Sequence, residues 1–309
     1  NAANEGQRVT YGAYGSADNP PRIDVAGAAA YCIQIQNKER VTVQDFDLYG
    51  STNVNMRILN NVTRACSYTQ IKRVRAYGSA FDGISMTAGN NAGGVAPSPA
   101  LGVVFDGCEG HRNGQHGVAV IAYATGAIIK NCYATGNSLT SSGWGVYHGG
   151  QGVTYTGASG WTIAGNVKSR TSAMGIKPYG VWSGNTTSGV YELAENAGTP
   201  TTPGTGEWGY NGTTVYVNIG APSGGYSIAI IFQPNTNAVL MDCRGDDHLL
   251  FDAVGVGLDR GVVGGKILRC RGSGNLGSAV QVNQASGVTV DGVLGIGNRE
   301  AVYMSTVGG

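Results

Sequence analysis

Apolar and polar positions alternate with a period of two in short runs, and nearly every run ends at a turn-forming residue. That pattern predicts brief β-strands joined by tight corners. One string recurs along the chain: β-formers, two residues rich in Asp, Asn, Gly, Lys or Arg, one apolar residue, then a Gly-containing turn. Its instances are Val43-Gln44-Asp45-Phe46, Ile71-Lys72-Arg73-Val74, Phe105-Asp106-Gly107-Cys108, Ile129-Lys130-Asn131-Cys132 and Ala164-Gly165-Asn166-Val167. Leu240-Met241-Asp242-Cys243, Ile267-Leu268-Arg269-Cys270 and Val290-Asp291-Gly292-Val293 continue it. A second string opens on a small residue and then alternates: Gly83-Ile84-Ser85-Met86, Gly117-Val118-Ala119-Val120, Gly145-Val146-Tyr147-His148, Gly175-Ile176-Lys177, Ala279-Val280-Gln281-Val282 and Ala301-Val302-Tyr303-Met304.

Strands this short cannot bury an apolar face alone, whereas coils stacked on one another bury a continuous column. Like positions of neighbouring coils then lie about 4.8 Å apart. Four of the six cysteines, Cys108, Cys132, Cys243 and Cys270, occupy one repeat position. Phe46, Val74, Val167 and Val293 fill the same position elsewhere, so it is an internal file of small apolar groups and not a disulfide framework. Cys32 and Cys66 are left open, and no Cys pair has zinc-ligand spacing.

Composition narrows the class. Of 309 residues, 52 are glycine, 41% are hydrophobic and only 13% are charged. This is a turn-rich all-β chain able to bury a core, with no collagen period. A net charge of +1 offers no basic field for nucleic acid, and no apolar run approaches a membrane span. The polar opening lacks a signal-peptide pattern, as in a mature or trimmed form. The start inside a β-run leads us to expect a cap before it.

The repeat resembles the right-handed parallel β-helix proteins of the polysaccharide lyase, glycosidase and phage tailspike type. The opening Arg8-Val9-Thr10-Tyr11-Gly12-Ala13-Tyr14-Gly15-Ser16, followed by Pro20-Pro21-Arg22-Ile23, is similar to the strand-turn-strand that begins many such lyases. The resemblance covers nearly the whole chain at the level of coils. It implies an extracellular, secreted or virion-surface protein acting on polysaccharide, as a monomer or homotrimer.

The coil pattern breaks between about Tyr191 and Asn235, where Asn211-Gly212 separates two aromatic and β-branched runs and predicts a hairpin. We therefore expect one domain overall, with N-terminal coils over 1–190, an inserted hairpin over 191–235 and C-terminal coils over 236–309. Trp208 and Tyr210 in that insert are either padding for a coil or platforms for sugar rings.

In the second string the residue after Gly points inward and the next one outward. Tyr147 and Lys177 then share an outward file with Ser85 and Ala119, and Asp82, His116, Trp144 and Met174 share a turn. This brings Asp82, His116, Tyr147 and Lys177 into one candidate catalytic patch beside Trp144. Asp82 would orient the His116 imidazole and raise its pKa, and Lys177 with Tyr147 resembles the base of β-elimination. The plain alternative makes Asp82 and His116 turn residues and Lys177 a solvated cation. The densest polar cluster, Asp242, Arg244, Asp246, Asp247 and His248, supplies further substrate-binding candidates. Its paired aspartates superficially resemble those of polygalacturonases, with Gln115-His116-Gly117 as their Gly-His-Gly. The order of elements is reversed, which discounts inverting pectin hydrolysis. Asp242 with Arg269, like Asp45 with Arg73, reads equally as a surface ion pair. No cofactor is required, and Ca2+ could be held by Asp106, Glu109 and His111.

Two functions stay open. One is an extracellular polysaccharide-cleaving enzyme, lyase or glycoside hydrolase, with its groove on a β-helix face. The other is a non-catalytic glycan-binding tailspike, adhesin or fibre module.

Overall fold

The computed structural model describes residues 8–12, 20–60, 65–88, 99–121, 123–141, 143–156, 161–172, 177–185, 189–220, 226–250 and 253–305. Among them there is no helix; three eight-stranded parallel sheets form the faces of a right-handed parallel β-helix. Face 1 runs from Val9–Gly12 to Thr289–Asp291, face 2 from Arg22–Asp24 to Leu294–Ile296, and face 3 from Ile33–Gln36 to Glu300–Ser305. Each of the eight coils gives one strand to each face. A short fourth sheet, including Ala124–Thr125 and Asn235–Thr236, closes the corner before face 1.

The corners explain the first string. The residue between faces 1 and 2 has positive φ in seven successive coils: Asp45, Arg73, Gly107, Asn131, Asp242, Arg269 and Gly292. A single left-handed residue turns the chain and leaves its neighbours extended, which is why Gly, Asn and Asp recur there. Where the corner is charged, it pairs with the next coil: Asp45 accepts two hydrogen bonds from Arg73 at 2.6 and 2.9 Å, and Asp242 two from Arg269 at 2.8 and 2.6 Å. We expect Asn131→Val to lower stability by about 1–2 kcal/mol, because a β-branched residue resists this φ, and Asn131→Gly to cost far less. Urea midpoints of the two variants check this.

Inside, Val43, Ile71, Phe105, Ile129, Leu240 and Ile267 stack in register and are buried. Cys108, Cys132, Cys243 and Cys270 form the expected file, buried and without disulfides, and Cys132 Sγ accepts the Cys108 main-chain N–H at 3.4 Å. Cys32 and Cys66 are also free thiols. Past the face 2 corner runs a second internal file, of asparagines. Asn113 Nδ2 donates to Asn137 Oδ1 at 2.9 Å, and Asn275 Nδ2 to Asn298 Oδ1 at 2.8 Å. His248 fills the gap between them: its Nδ1 accepts the Asn137 N–H at 3.2 Å, and its own N–H donates to Asn275 Oδ1 at 3.2 Å.

The interruption is larger than the sequence suggested. The coils stop at Gly149 and resume at Asn235, and the described residues between form two further sheets, antiparallel except where Ala194–Glu195 runs parallel to Glu207–Tyr210. Ala164-Gly165-Asn166-Val167 is therefore not a coil corner. It turns a hairpin between Thr162–Ala164 and Val167–Thr171, so Val167 does not belong to the cysteine file. Gly175 and Ile176 lie outside the described residues. The Asn211-Gly212 hairpin is present, joining Glu207–Tyr210 to Thr214–Asn218. The insert carries its own core around Trp208, Val217, Ile228 and Ile230. It leaves and returns at one corner, so the fifth and sixth coils still pair directly, Ile128 with Val239 and Trp144 with Val254.

Candidate functional site

At the start of face 3 the register stacks Asp82, His116, Trp144, Val254, Ser278 and Glu300 in successive coils. The vertical adjacency of Asp82 and His116 holds, but its chemistry differs from expectation. Asp82 Oδ1 accepts the main-chain N–H of His116 at 3.2 Å and makes no bond to the ring. The ring instead accepts the Trp144 N–H on Nδ1 at 3.0 Å. Burial holds the His116 pKa below the usual histidine value, with Asp82 opposing the shift. The imidazole lies flat on Tyr147, centroids 4.6 Å apart, and Tyr147 donates its hydroxyl to Asp259 Oδ2 at 3.0 Å. Burial, reinforced by Asp259, pushes the Tyr147 phenol well above its ordinary value, so it is no ready base. Lys177 does not join this group. It sits in the insert, exposed, its ammonium 2.7 Å from Glu195. Asp82, His116 and Tyr147 thus form a buried strut whose outer end is Asp259.

That strut borders a cleft of about 470 Å3 on the outer side of face 3, over the last three coils. Its floor is one outward file: Gly257, Gln281 and Tyr303 in register after Tyr147. Gly257 is required, because a Cβ there would strike the Trp144 indole that lies across it. Tyr303 is 40% exposed. One rim carries Asp259, which accepts from Asn283 Nδ2 at 2.7 Å and lies 3.7 Å from Arg260 Nε. The other rim carries Arg299 and Glu300, whose Oε2 accepts from Ser278 Oγ at 3.2 Å. Aromatic rings, amides and both charge signs line a shallow trough, a set suited to rings bearing hydroxyl groups.

Of the sequence candidates, only Trp144 lines this cleft directly, while Tyr147 supports it from below. Trp208 is 2% exposed in the core of the insert and offers no face to a sugar, while Tyr210 packs partly buried against that core, donates its hydroxyl to Gly212 O at 2.6 Å and does not line this cleft. The Asp242–His248 cluster disperses along two corners. Asp242 and Asp247 are left-handed corner residues, His248 points inward, and Asp246 is buried, accepting from Ser273 N at 3.0 Å and paired with Arg244. Asp106, Glu109 and His111 also separate. Asp106 faces Asn131 and Lys130 on face 1, whereas Glu109 and His111 bond to each other on face 2. Among the described residues no group of three or more His, Cys, Asp or Glu side chains is placed to hold a metal ion.

Face 2 carries a stack the sequence reading missed: Tyr49 on Tyr77 at 4.6 Å, Tyr77 on His111 at 4.8 Å, then Tyr133 edge-on at 5.7 Å. Arg22 and Arg244 cover its two ends. The ring faces are consumed by one another, which makes this a brace and leaves no platform for a sugar.

No protein-family model matches the chain, and no curated protein matches its sequence. The fold search returns solved structures of low identity. One is the enzymatically active domain of tailspike protein 2 of bacteriophage CBA120: 11% identity, TM-score 0.47, covering 97% of this chain and 39% of that one. Another is the A-module of a mannuronan C-5 epimerase of Azotobacter vinelandii: 11% identity, TM-score 0.32, covering 87% and 65%. A third is the tailspike gp49 of Acinetobacter baumannii bacteriophage Fri1, a capsular polysaccharide depolymerase: 10% identity, TM-score 0.23, covering 98% and 63%. The chain thus spans about two-fifths of the first of these.

Proposed function

We propose that the chain binds a polysaccharide in the cleft over its last three coils, outside the cell or on a virion. The observation that carries this is the outward file of Gly257, Gln281 and Tyr303, with the Trp144 indole lying across Gly257, between two polar rims. Successive floor residues are one coil apart, about 4.8 Å, close to the length of a pyranose ring, so a glycan along the axis meets one floor side chain per sugar. The test is binding to a panel of acidic and neutral polysaccharides. We expect Tyr303→Ala and Gln281→Ala each to weaken binding about tenfold or more, with melting unchanged, since neither side chain is in the core. Unaltered affinity in both variants would sink the assignment.

Cleavage is the second reading, and Asp259 favours it. This carboxylate is fixed at the cleft edge by Tyr147 and Asn283 and backed by the buried strut. Among the described residues the other carboxylate lining the cleft is Glu300. Asn283 pairs with Ser305, five residues beyond Glu300, and Glu300 lies two coils from Asp259. At about 3.3 Å per residue and 4.8 Å per coil the Cα atoms are roughly 15–20 Å apart, well beyond the carboxyl pairs of glycosidases at about 5–10 Å. Loss of product formation in Asp259→Asn, with binding retained, would establish cleavage there. Saturable binding by the wild type without new reducing or unsaturated ends leaves the binding function alone.

A further inference from the structure

We infer that the cleft is a dead end, closed on the side of the fifth coil, so that it takes the terminus of a glycan chain and excludes an internal stretch. This inference rests on the glycan reading above and narrows it to one class of ligand, the last few sugars of a chain.

The floor of the cleft belongs to an outward file that runs along face 3 from the third coil to the eighth: Ser85, Ala119, Tyr147, Gly257, Gln281 and Tyr303. Its two ends differ in exposure. Gln281 is half-buried and Tyr303 is 40% exposed, whereas Tyr147 is 8% exposed and Ala119 and Ser85 are fully buried. A side chain that points away from the coils and still meets almost no solvent lies beneath a further layer of the molecule. The outer surface of face 3 therefore steps up between the sixth coil and the fifth.

The step extends across the strand. In the fifth coil the Tyr147 phenol folds over the second outward position, Gly149, where a Cβ would strike its hydroxyl, and Gly149 is buried. One side chain thus covers both outward positions. His116 backs it face to face at 4.6 Å, and Trp144 meets it edge-on at 4.8 Å. The Trp144 indole, lying across Gly257, is the part of this wall that lines the cleft; among the described residues the third and fourth coils contribute nothing to the lining. Three coils of floor give about 14 Å, room for roughly two or three sugars along the axis. A sugar inside a chain carries a glycosidic bond on each side. The unit against Trp144 has no space for one on the wall side, so that side ends in a small group such as a hydroxyl.

The experiment uses linear polysaccharides of the panel above, cut into size classes from short oligosaccharides to chains several times the length of the eight-coil stack, which is roughly 40 Å. Titration calorimetry with the protein in excess counts the copies bound per chain. We expect one copy per chain in every size class. We also expect the short oligosaccharide to match the longest chain within about twofold in affinity per chain, because no repeated internal site adds to it. Borohydride reduction names the end: affinity is lost if the reducing terminus enters and kept if the other one does, and either result supports the inference. Copies per chain, or affinity per chain, that rise in proportion to length overturn it and leave the glycan reading standing. So does full affinity for chains with a bulky group coupled to both ends. Failure of the wild type to bind any chain of any size overturns the glycan reading itself.

Discussion

Lowering the pH from 7 to 4.5 at constant salt will cost this protein roughly 5 kcal/mol of folding stability. Three of its four histidines are buried: His116, His148 and His248. Each uses Nδ1 as an acceptor between neighbouring coils, from Trp144 N, Asn235 Nδ2 and Asn137 N respectively. An imidazolium cannot accept, so protonation removes these bonds as well as charging the interior. Burial holds His148 at about 3; burial, aided by the His116 charge, holds His248 at about 3. In the unfolded chain both titrate near 6.5. Between those values the unfolded state carries more protons, so stability is full above pH 6.5 and falls as the pH drops towards 3. At pH 4.5 each ring contributes a loss of about 3 kcal/mol. His116 acts in the same direction. The carboxylates held low by hydrogen bonds and cationic partners, such as Asp106 by Asn131 and Lys130 and Asp242 by Arg269, act below about pH 4 and leave this window clear. Urea unfolding at half-unit steps checks the slope. His248→Asn offers the sharper measurement, because asparagine is the residue this file carries in the coils on either side. It should remove one of the protons taken up on acid unfolding while keeping the fold at pH 7. A slope unchanged in that variant would contradict the assignment.

The same residue shows where the sequence was legible and where it was not. The period-two runs and the left-handed corners sit at fixed offsets, so the stacking of coils, the cysteine file and the Asp82–His116–Trp144 column could be read from the letters. Side-chain direction at a corner could not. His248 stands among acidic neighbours in the sequence, yet it follows the left-handed Asp247 and so turns inward into the asparagine file. The insert defeated the reading for another reason. Val167 and Gly175 follow the repeat at the expected interval, and only the pairing of Val167–Thr171 with Thr214–Asn218 shows that this stretch belongs to an antiparallel sheet. Removing that stretch makes coil six the neighbour of coil five. The outward file from Tyr147 then continues to Gly257, Gln281 and Tyr303 and not to Lys177. Gln281 and Tyr303 were visible as repeat positions. What was missing was the 85-odd residues to be skipped before stacking them.

Gly245→Val should unfold or nearly unfold the sixth coil, with a loss of about 3–5 kcal/mol. Gly245 lies in the inward file of face 2, where the side chain shrinks from Leu48 through Ala76 to Gly110, Ala134, Gly245 and Gly272. Facing it across the interior is the small-residue file that opens the second string, Gly117, Gly145 and Gly255. The two walls meet main chain to main chain: a Cβ at Gly245 would overlap the backbone of Gly255, and one at Gly110 that of Gly117. The asparagine file seals the junction, with Asn275 Nδ2 donating to Gly245 O at 3.0 Å and Asn137 Nδ2 to Gly110 O at 2.9 Å. Valine at 245 must push Val254–Leu258 outward and break the bond from Asn275 Nδ2 to the Gly245 carbonyl. The displaced strand is the one that carries Gly257 and leads into Asp259, so the cleft floor and its fixed carboxylate move with it. Gly295, in the same file one coil beyond Gly272, is the control. It is half-buried where Gly245 is buried, and a Cβ there would meet the backbone of Ala301 less closely than one at Gly245 meets that of Gly255. Gly295→Val should cost far less in a urea titration and leave glycan affinity within a few fold. Equal losses in the two variants would mean that the faces are not held apart by backbone contact, and the account of how this fold shapes its groove would fail.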